Sequence, residues 1–282
     1  MALSILADME LQKDKVKALV MDLDGTTLAA DAVLTERTRK ALRGCIAKGL
    51  RVIIATGRST DAAEAYRAAI GAEGPMVYYN GSVVMDMPSR TIIDSHYIGQ
   101  DVISGCVDIA HAENTHFHVF LRKKDAPFTE MLAAENPSEA AARYSSDFFY
   151  RDLYSILSVG DYNCIKGIFI DREPKLQRIR KIVEESLRGK VTITLSADFI
   201  LEILASGVSK ASGMRAALEF CGLTPSEVIA FGDEENDISM LSLAAYSVAP
   251  SNARQSVRET ASMVIGPNTG DSIAAFLEET FL

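Results

Sequence analysis

A short apolar run, residues 16–21, ends abruptly in the sequence Asp22-Leu23-Asp24-Gly25. Apolar runs rich in Val and Leu are typical of a strand that is buried on both faces of a parallel sheet. Because side chains alternate along a strand, Asp22 and Asp24 would leave it on the same side. Gly25 permits a tight turn with exposed backbone N–H groups, and such turns bind anions. The sequence therefore predicts a buried strand that ends in two carboxylates and a candidate anion site.

The two aspartates carry like charges, which repel each other unless a positive charge lies between them. A hard divalent cation with oxygen ligands, Mg2+ above all, is the natural partner. Taken alone, an Asp-x-Asp after a strand is more often a solvated acidic turn than a metal site. The pair therefore leaves both interpretations open, and the rest of the chain has to decide between them.

The same order of apolar strand and polar turn recurs along the chain. Residues 51–55 form a second apolar run that ends in Thr56-Gly57-Arg58, and a third run at 76–79 ends in Asn80-Gly81. Between the first two runs, apolar residues at helical spacing follow the N-cap candidate Thr35, which completes a β-α-β unit. Parallel sheets built from such units bind ligands at the carboxyl ends of their strands. We therefore expect these polar turns to face one crevice.

This α/β pattern is interrupted in the middle of the chain and then resumes. From residue 84 to residue 204, short alternating segments are mixed with helical stretches, which is typical of an α+β domain with a mainly antiparallel sheet. A strand at 228–231 then ends in a polar segment at 232–237. We expect a discontinuous α/β core from residues 1–83 and 205–282, with a Rossmann-like, doubly wound parallel sheet, and an inserted α+β domain between the two parts.

The overall charge excludes some classes of binding partner, and the cysteine pattern indicates the cellular compartment. The formal net charge of −9 argues against nucleic acid or an anionic membrane as the main partner. The four cysteines lie far apart and form no Cys-x-x-Cys pair, which argues against a zinc site or a disulfide framework and favours a reducing cytoplasm. Residues 1–7 are apolar but lack a basic flank, so we expect a short extension and not a signal peptide. We expect a monomer or a small homo-oligomer.

Four polar clusters lie at the ends of predicted strands or beside them: Asp22 with Asp24, Thr56, Lys210, and the segment from Gly232 to Asp237. In this order they resemble the four motifs of the haloacid dehalogenase-like phosphatases. The sequences at 56–58, 80–81 and 201–210 are similar to the Cof-like subgroup, in which a large α/β cap is inserted between the second and third motifs. The insertion at 84–204 fits that cap. The family often has Gly after the motif lysine, where this chain has Ala211, but that position carries no chemistry.

This resemblance implies a Mg2+-dependent phosphatase that forms an aspartyl-phosphate. Asp22 would attack the phosphoryl group, while Asp24 would protonate the leaving oxygen and then activate water. The implied residues form three sets: Asp22, Asp24, Thr56 and Lys210 as catalytic residues; Gly25, Thr26, Gly57, Arg58, Asn80 and Asn236 as substrate-binding residues; and Asp22, Asp24 (through its backbone carbonyl), Asp233 and Asp237 as metal ligands. In the family pattern, Asn236 and Asp237 also hold the lysine and the phosphate. Arg58 equally suits a surface cation or a structural ion pair.

Three other functions share part of this pattern. A phosphomutase uses the same phosphoenzyme chemistry, and the sequence does not separate it from a phosphatase. A response-regulator receiver also combines acidic residues, a hydroxyl and a lysine, but the acid/base candidate Asp24 and the large insertion oppose it. A non-catalytic phosphate-binding protein is opposed by the intact motif residues. The expected substrate is a small phosphorylated metabolite, either a sugar phosphate, pyridoxal phosphate, flavin mononucleotide or a nucleotide.

Overall fold

The computed structural model describes residues 12–126, 128, 130–144 and 149–282, so the extension expected at residues 1–7 lies outside the described residues. Its strands are β1 (Ala18–Met21), β2 (Arg51–Ile54), β3 (Gly74–Tyr78), β4 (Val83–Met87), β5 (Thr91–Ser95), β6 (His116–Lys123), β7 (Glu130–Glu135), β8 (Phe149–Tyr150), β9 (Tyr162–Ile170), β10 (Val191–Ala197), β11 (Ile200–Ala205), β12 (Val228–Phe231), β13 (Tyr246–Pro250) and β14 (Met263–Ile265). Its α-helices are α1 (Glu36–Ala47), α2 (Thr60–Ile70), α3 (Gln100–Ala112), α4 (Glu139–Tyr144), α5 (Leu153–Val159), α6 (Glu173–Ser186), α7 (Lys210–Phe220), α8 (Ile238–Leu243), α9 (Gln255–Thr260) and α10 (Ser272–Phe281). The described residues divide into two compact units, one formed by those from Gln12 to Ser95 and from Ser209 onwards, the other by those between His96 and Val208.

The larger unit is built on a five-stranded parallel sheet in the order β14-β13-β12-β1-β2. Every residue of β1 and β12 is buried, as a parallel sheet with helices on both faces requires. Adjacent residues of β12 show the two layers. Ala230 packs in one core cluster with residues of α7 and α8, whereas the Phe231 ring lies 5.7 Å from the ring of Phe276 in α10. The predicted α/β class and the doubly wound core are confirmed.

Strand β3 borders this sheet but pairs mainly elsewhere. It forms an antiparallel three-stranded sheet with β4 and β5, and an isolated parallel bridge joins its Val77 to Ala55, the residue after β2. Val84 of β4 packs in the same core cluster as Val77. Residues 83–95 therefore belong to the larger unit, and the smaller unit begins at His96 rather than at residue 84. The alternating pattern that marked the predicted boundary belongs to this small antiparallel sheet.

The smaller unit contains a six-stranded sheet in the order β10-β11-β9-β6-β7-β8, antiparallel except between β7 and β8. Apolar residues of α3, α5 and α6 pack against it in one cluster. Lys166 of β9 and Glu202 of β11 form a buried ion pair of 2.7 Å. This is the mainly antiparallel α+β arrangement that the sequence predicts. Among the described helices, none is both long enough and apolar enough to span a membrane.

Two backbones approach closely where the β3 turn meets α7. Gly81 has a φ of +100°, and a Cβ at this position would collide with the backbone carbonyl oxygen of Ser209. Ser209 is the N-cap of α7, since its Oγ accepts a hydrogen bond from the N–H of Ser212 at 3.2 Å. Gly81 thus allows the turn after β3 to pack against the start of the helix whose first residue is Lys210.

We predict that Gly81→Ala lowers the free energy of unfolding by about 3 kcal/mol or more, because it adds a backbone collision to an unfavourable φ. Gly222→Ala is the matched control. Gly222 has a φ of +67°, but a Cβ added there would meet nothing within 4 Å, so only the conformational cost of about 1 kcal/mol applies. Urea denaturation measures both losses, and equal losses would contradict the steric explanation.

Candidate active site

Three carboxylates and one ammonium group lie together at the carboxyl edge of the parallel sheet. Asp22 follows β1, Asp233 and Asp237 follow β12, and the parallel pairing of these two neighbouring strands brings the acidic segments together. Carboxylate oxygens of the three aspartates lie within 4.8 Å of one another. Lys210 Nζ donates to Asp22 Oδ1 at 2.5 Å and to Asp237 Oδ1 at 2.6 Å. Four residues from three separate motifs therefore form one polar cluster.

The cluster is buried, which perturbs the protonation of its members. Burial raises the pKa of Asp22 well above its ordinary value, against the opposing charge of Lys210. Burial, followed by the charge of Asp237, raises the pKa of Asp233 to about 7. Burial alone would lower the pKa of Lys210, but the carboxylates of Asp22 and Asp237 outweigh it and raise that pKa above its ordinary value. Lys210 therefore stays charged but does not neutralise three carboxylates.

The donor atoms of this cluster suit a hard divalent cation. Asp237 Oδ1 accepts from Lys210, and Asp237 Oδ2 accepts from the backbone N–H groups of Asp233 and Glu234 at 2.9 and 3.0 Å. Within the described part of the chain, Asp22 Oδ2 and Asp233 Oδ2 accept no hydrogen bond, so both can bind another ligand. Oxygen ligands and an excess of negative charge are what Mg2+ requires of a protein site. The residues thus fit the predicted metal, with Asp237 committed to other contacts.

The loop after β1 is shaped around Asp233. Gly25 has a φ of +73°, and a Cβ there would collide with Asp233 Oδ2. Thr26 Oγ1 donates to Asp233 Oδ1 at 2.7 Å, and Thr27 Oγ1 donates to the backbone oxygen of Asp22 at 2.5 Å. The predicted substrate-binding residues Gly25 and Thr26 are therefore close to the acidic cluster, and the Thr26 hydroxyl is already engaged with it.

The turns after β2 and β3 bring a second group of predicted residues together. Thr56 is buried, and its backbone oxygen accepts from the N–H of Asn80 at 3.0 Å. Asn80 adopts a left-handed φ of 55°, and its Oδ1 accepts from Asn236 Nδ2 at 2.9 Å. Gly57 lies against the same side chain, since a Cβ there would come within 3.2 Å of Asn80 Oδ1. These hydrogen bonds tie the two turns to the segment after β12.

The Asp24 carboxylate has a different environment from the three buried aspartates. Arg58 Nε donates to Asp24 Oδ2 at 2.7 Å, and Arg58 Nη2 donates to Asp24 Oδ1 at 2.6 Å. The Asp24 side chain is 54% exposed, and the Arg58 guanidinium lies over the Tyr66 ring, 5.0 Å from its centroid. In this arrangement the side chain of Asp24 is bound to Arg58, so only its backbone carbonyl can serve the metal role that the resemblance implies.

Asn252 helps to hold the loop after β1, and the sequence pattern did not single it out. Its Nδ2 donates to the backbone oxygen of Gly25 at 2.9 Å, and its Oδ1 accepts from the N–H of Asn268 at 2.9 Å. Asn252 follows β13, which is separated from β1 by β12, so its contact with the β1 loop crosses one strand. Its place in a polar turn at the carboxyl end of a strand was the one available signal.

The sequence profile of the family described as haloacid dehalogenase-like hydrolase matches residues 19–277, from β1 into α10. The chain belongs to this family. The match covers both units of the fold and all four motif segments, so the predicted family is confirmed. The predicted enzyme class, a phosphoric monoester hydrolase, is confirmed as well.

Relatives of this hydrolase match over nearly their full length. The pyridoxal phosphate phosphatase YbhA of Escherichia coli is 28% identical over 268 residues, which cover 93% of this chain and 97% of the relative. The 5-amino-6-(5-phospho-D-ribitylamino)uracil phosphatase YcsE of Bacillus subtilis is 26% identical over 269 residues, which cover 94% of this chain and 97% of the relative. The crystal structure of a haloacid dehalogenase-like hydrolase from Bacteroides thetaiotaomicron has a TM-score of 0.81 at 23% identity, covering 94% of this chain and 100% of that one, and it shows the shared fold.

In metal-free protein, we predict that Asp233→Asn becomes more stable relative to the wild type as the pH rises from about 4.5 to about 7.5. The pKa of Asp233 is about 7 in the folded protein and ordinarily 3.8, so folding retains a proton that unfolding releases. The wild type therefore loses stability as the pH rises through this window, by an amount on the order of 2 kcal/mol. Chemical denaturation with EDTA at several pH values measures the difference.

Glu278→Gln is a control for which we expect the difference in stability from the wild type to change with pH in the opposite direction. A hydrogen bond from Arg37 lowers the pKa of Glu278, so its contribution is present at neutral pH and is lost as the pH falls through the lowered pKa. The wild type should therefore lose stability relative to Glu278→Gln on acidification. A difference between Asp233→Asn and the wild type that does not change with pH would contradict the buried-charge explanation.

Proposed function

We propose that this hydrolase is a Mg2+-dependent phosphatase of small phosphorylated metabolites that forms an aspartyl-phosphate on Asp22. The observation that carries the proposal is the Lys210 ammonium buried between Asp22 and Asp237, with Asp233 beside them. A phosphoryl dianion can approach a carboxylate only where the negative charge of that carboxylate is masked. Lys210 supplies part of this masking, and the cluster retains the charge and the oxygen atoms to bind a dication for the remainder.

In this proposal, Asp22 and Asp233 would hold Mg2+ through their uncommitted oxygens, and the backbone carbonyl of Asp24 would complete the protein ligands. Asp237 contributes by holding Lys210 and the backbone after β12. When bound, the cation neutralises the acidic cluster and withdraws charge from the phosphoryl oxygens. Thr56 Oγ1 accepts a hydrogen bond from a backbone N–H at 3.1 Å, which leaves its own hydrogen to donate to a phosphoryl oxygen.

The proposed reaction has two steps that share one acid/base residue. In the first, an oxygen of Asp22 attacks phosphorus, the bond from phosphorus to the leaving oxygen breaks, and the carboxylic acid of Asp24 gives its proton to that oxygen. In the second, water attacks phosphorus, Asp24 takes a proton from it, and the bond between Asp22 and phosphorus breaks. Inorganic phosphate leaves, and Asp24 is again protonated.

The substrate class follows from the relatives, which are named for two small phosphomonoesters, pyridoxal phosphate and a ribitylaminouracil phosphate. We extend this class to the present chain and keep sugar phosphates, flavin mononucleotide and nucleotides as further members to test. The smaller unit, His96–Val208, is proposed to be the cap that selects among them. The cytoplasmic location expected from the cysteine pattern stays a prediction.

We predict that phosphate release from a panel of these metabolites requires Mg2+ and falls by at least about a thousandfold in Asp22→Asn, because the nucleophile is lost. Asp22→Asn also removes one repelling charge from the cluster, so its thermal stability without metal should not fall below that of the wild type. A malachite green assay and a thermal melt measure the two effects. Activity that survives in Asp22→Asn, or an isomer appearing in place of free phosphate, would contradict the proposed reaction.

Asp24→Asn separates the two steps, because an amide can neither give nor take the proton. With p-nitrophenyl phosphate, whose leaving group needs little acid assistance, we predict a burst of about one equivalent of nitrophenol followed by slow turnover. The trapped phosphoenzyme should be detected as hydroxylamine-sensitive labelling of the protein, and Asp22→Asn, which has no acceptor, should remain unlabelled. Steady turnover without a burst and without labelling would mean that water attacks the substrate directly.

Mg2+ binding should also release a proton near pH 6, because a dication must displace the proton that the raised pKa keeps on Asp233. Calorimetric titration in buffers with different ionisation enthalpies measures that release. We predict up to about one proton per cation at pH 6 and almost none at pH 8, with affinity rising over the same range. An affinity for Mg2+ that is independent of pH between these values would place the cation away from Asp233.

A further inference from the structure

The ion pair between Arg58 and Asp24 has a well-defined geometry, although the pair is partly exposed to solvent. Exposed ion pairs contribute about 0–1 kcal/mol to stability, and the Asp24 side chain is 54% exposed. Yet two guanidinium nitrogens of Arg58 reach two oxygens of Asp24 in a bidentate pair. The guanidinium lies over the face of the Tyr66 ring, and the Tyr66 hydroxyl donates a hydrogen bond to the backbone oxygen of Ala32 at 2.9 Å. Such a construction fixes the position of a charge more than it stabilises the fold.

Arg58 also lies next to the groups proposed to handle the phosphoryl group. Its backbone N–H donates to Thr56 Oγ1 at 3.1 Å. The hydrogen bond and charge of Asp24 raise the pKa of Arg58, and the charge of Asp22 adds to this effect, so Arg58 and Asp22 interact electrostatically. A phosphoryl group on Asp22 would therefore add a second anion that attracts the same cation.

The chemistry of the pair restricts what Asp24 can do while it is bound. A guanidinium has only N–H donors, and both oxygens of Asp24 accept from it. A carboxyl group that is to protonate a leaving oxygen must carry an O–H, for which Arg58 offers no acceptor. Because Arg58 occupies both oxygens, Asp24 must separate from Arg58 before either oxygen can meet the leaving oxygen.

We propose that Arg58 is an exchangeable positioning residue, paired with Asp24 in the free enzyme and transferred to the oxyanion of a bound phosphate group. The exchange frees the side-chain oxygens of Asp24 to face the leaving oxygen, so this residue becomes available for its proposed role only when a phosphoryl group is present. This inference rests on the proposed function, from which it takes the roles of Asp22 and Asp24. It adds that the two anions compete for one cation.

Competition of this kind is measurable as a double-mutant cycle with inorganic phosphate, in the presence of Mg2+, on the full chain. We expect Asp24→Asn to bind phosphate about tenfold more tightly than the wild type, because the guanidinium no longer has to leave a carboxylate. In an Arg58→Ala background, the same Asp24→Asn change should improve binding by about threefold or less, since only general repulsion is relieved. Arg58→Lys keeps a charge but loses the bidentate fork, so the gain there should be intermediate.

Asp61→Asn is the matched control for general charge, because Asp61 in α2 forms an exposed ion pair with Arg90 at 2.9 Å. It should alter phosphate affinity by less than about twofold. An equal gain from Asp24→Asn with and without Arg58 would overturn the exchange, as would a gain from Asp61→Asn of the same size. The proposed function fails separately, through activity in Asp22→Asn, so a working phosphatase without coupling between Asp24 and Arg58 would refute this inference alone.

Discussion

The rest of the site depends on one contact, in which the buried ammonium group of Lys210 lies between two carboxylates. Lys210 bonds to Asp22 and Asp237 and is almost fully buried with them. Removing the cation from such a buried pair typically costs about 3–5 kcal/mol, because it leaves uncompensated negative charge in a medium of low dielectric. In this cluster the loss of Lys210 would leave three carboxylates without an opposing charge. The surrounding structure must therefore hold Lys210 Nζ accurately between the two carboxylates.

Much of the surrounding fold serves that placement. Lys210 is the first residue of α7, so the end of this helix decides where its side chain starts. Ser209 caps the helix, and the turn at Gly81 packs directly against the Ser209 carbonyl. The two carboxylates reach Lys210 from the ends of β1 and β12, which are neighbours in the sheet. A helix start and two strand ends thus converge on one ion pair, and none of them lies near another in sequence.

The order of apolar strands and polar turns predicted which segments meet, because the carboxyl ends of parallel strands share one edge of the sheet. That order placed Asp22, Thr56 and Asp233 at such ends. Lys210, which begins a helix, was found through the resemblance to the family. The sequence did not show what each side chain bonds to at this edge. Both oxygens of Asp237 are engaged by Lys210 and by backbone N–H groups, a choice that depends on the path of the chain after β12. Asn252 was missed for the same reason, since its contact crosses an intervening strand.

The site contains two cationic side chains, Lys210 and Arg58, which differ in how readily another group can replace their carboxylate partners. This difference follows from their chemistry and their burial. Lys210 is a compact charge held by two carboxylates with almost no solvent access, so its bonds have no competitor in the free protein. Arg58 presents a planar fork to a carboxylate that remains half in water, where another oxyanion can replace it at little desolvation cost. The fixed charge is thus assigned to the proposed nucleophile, whose charge must be masked throughout the reaction. The replaceable charge is paired with Asp24, for which we propose the alternation between acid and base.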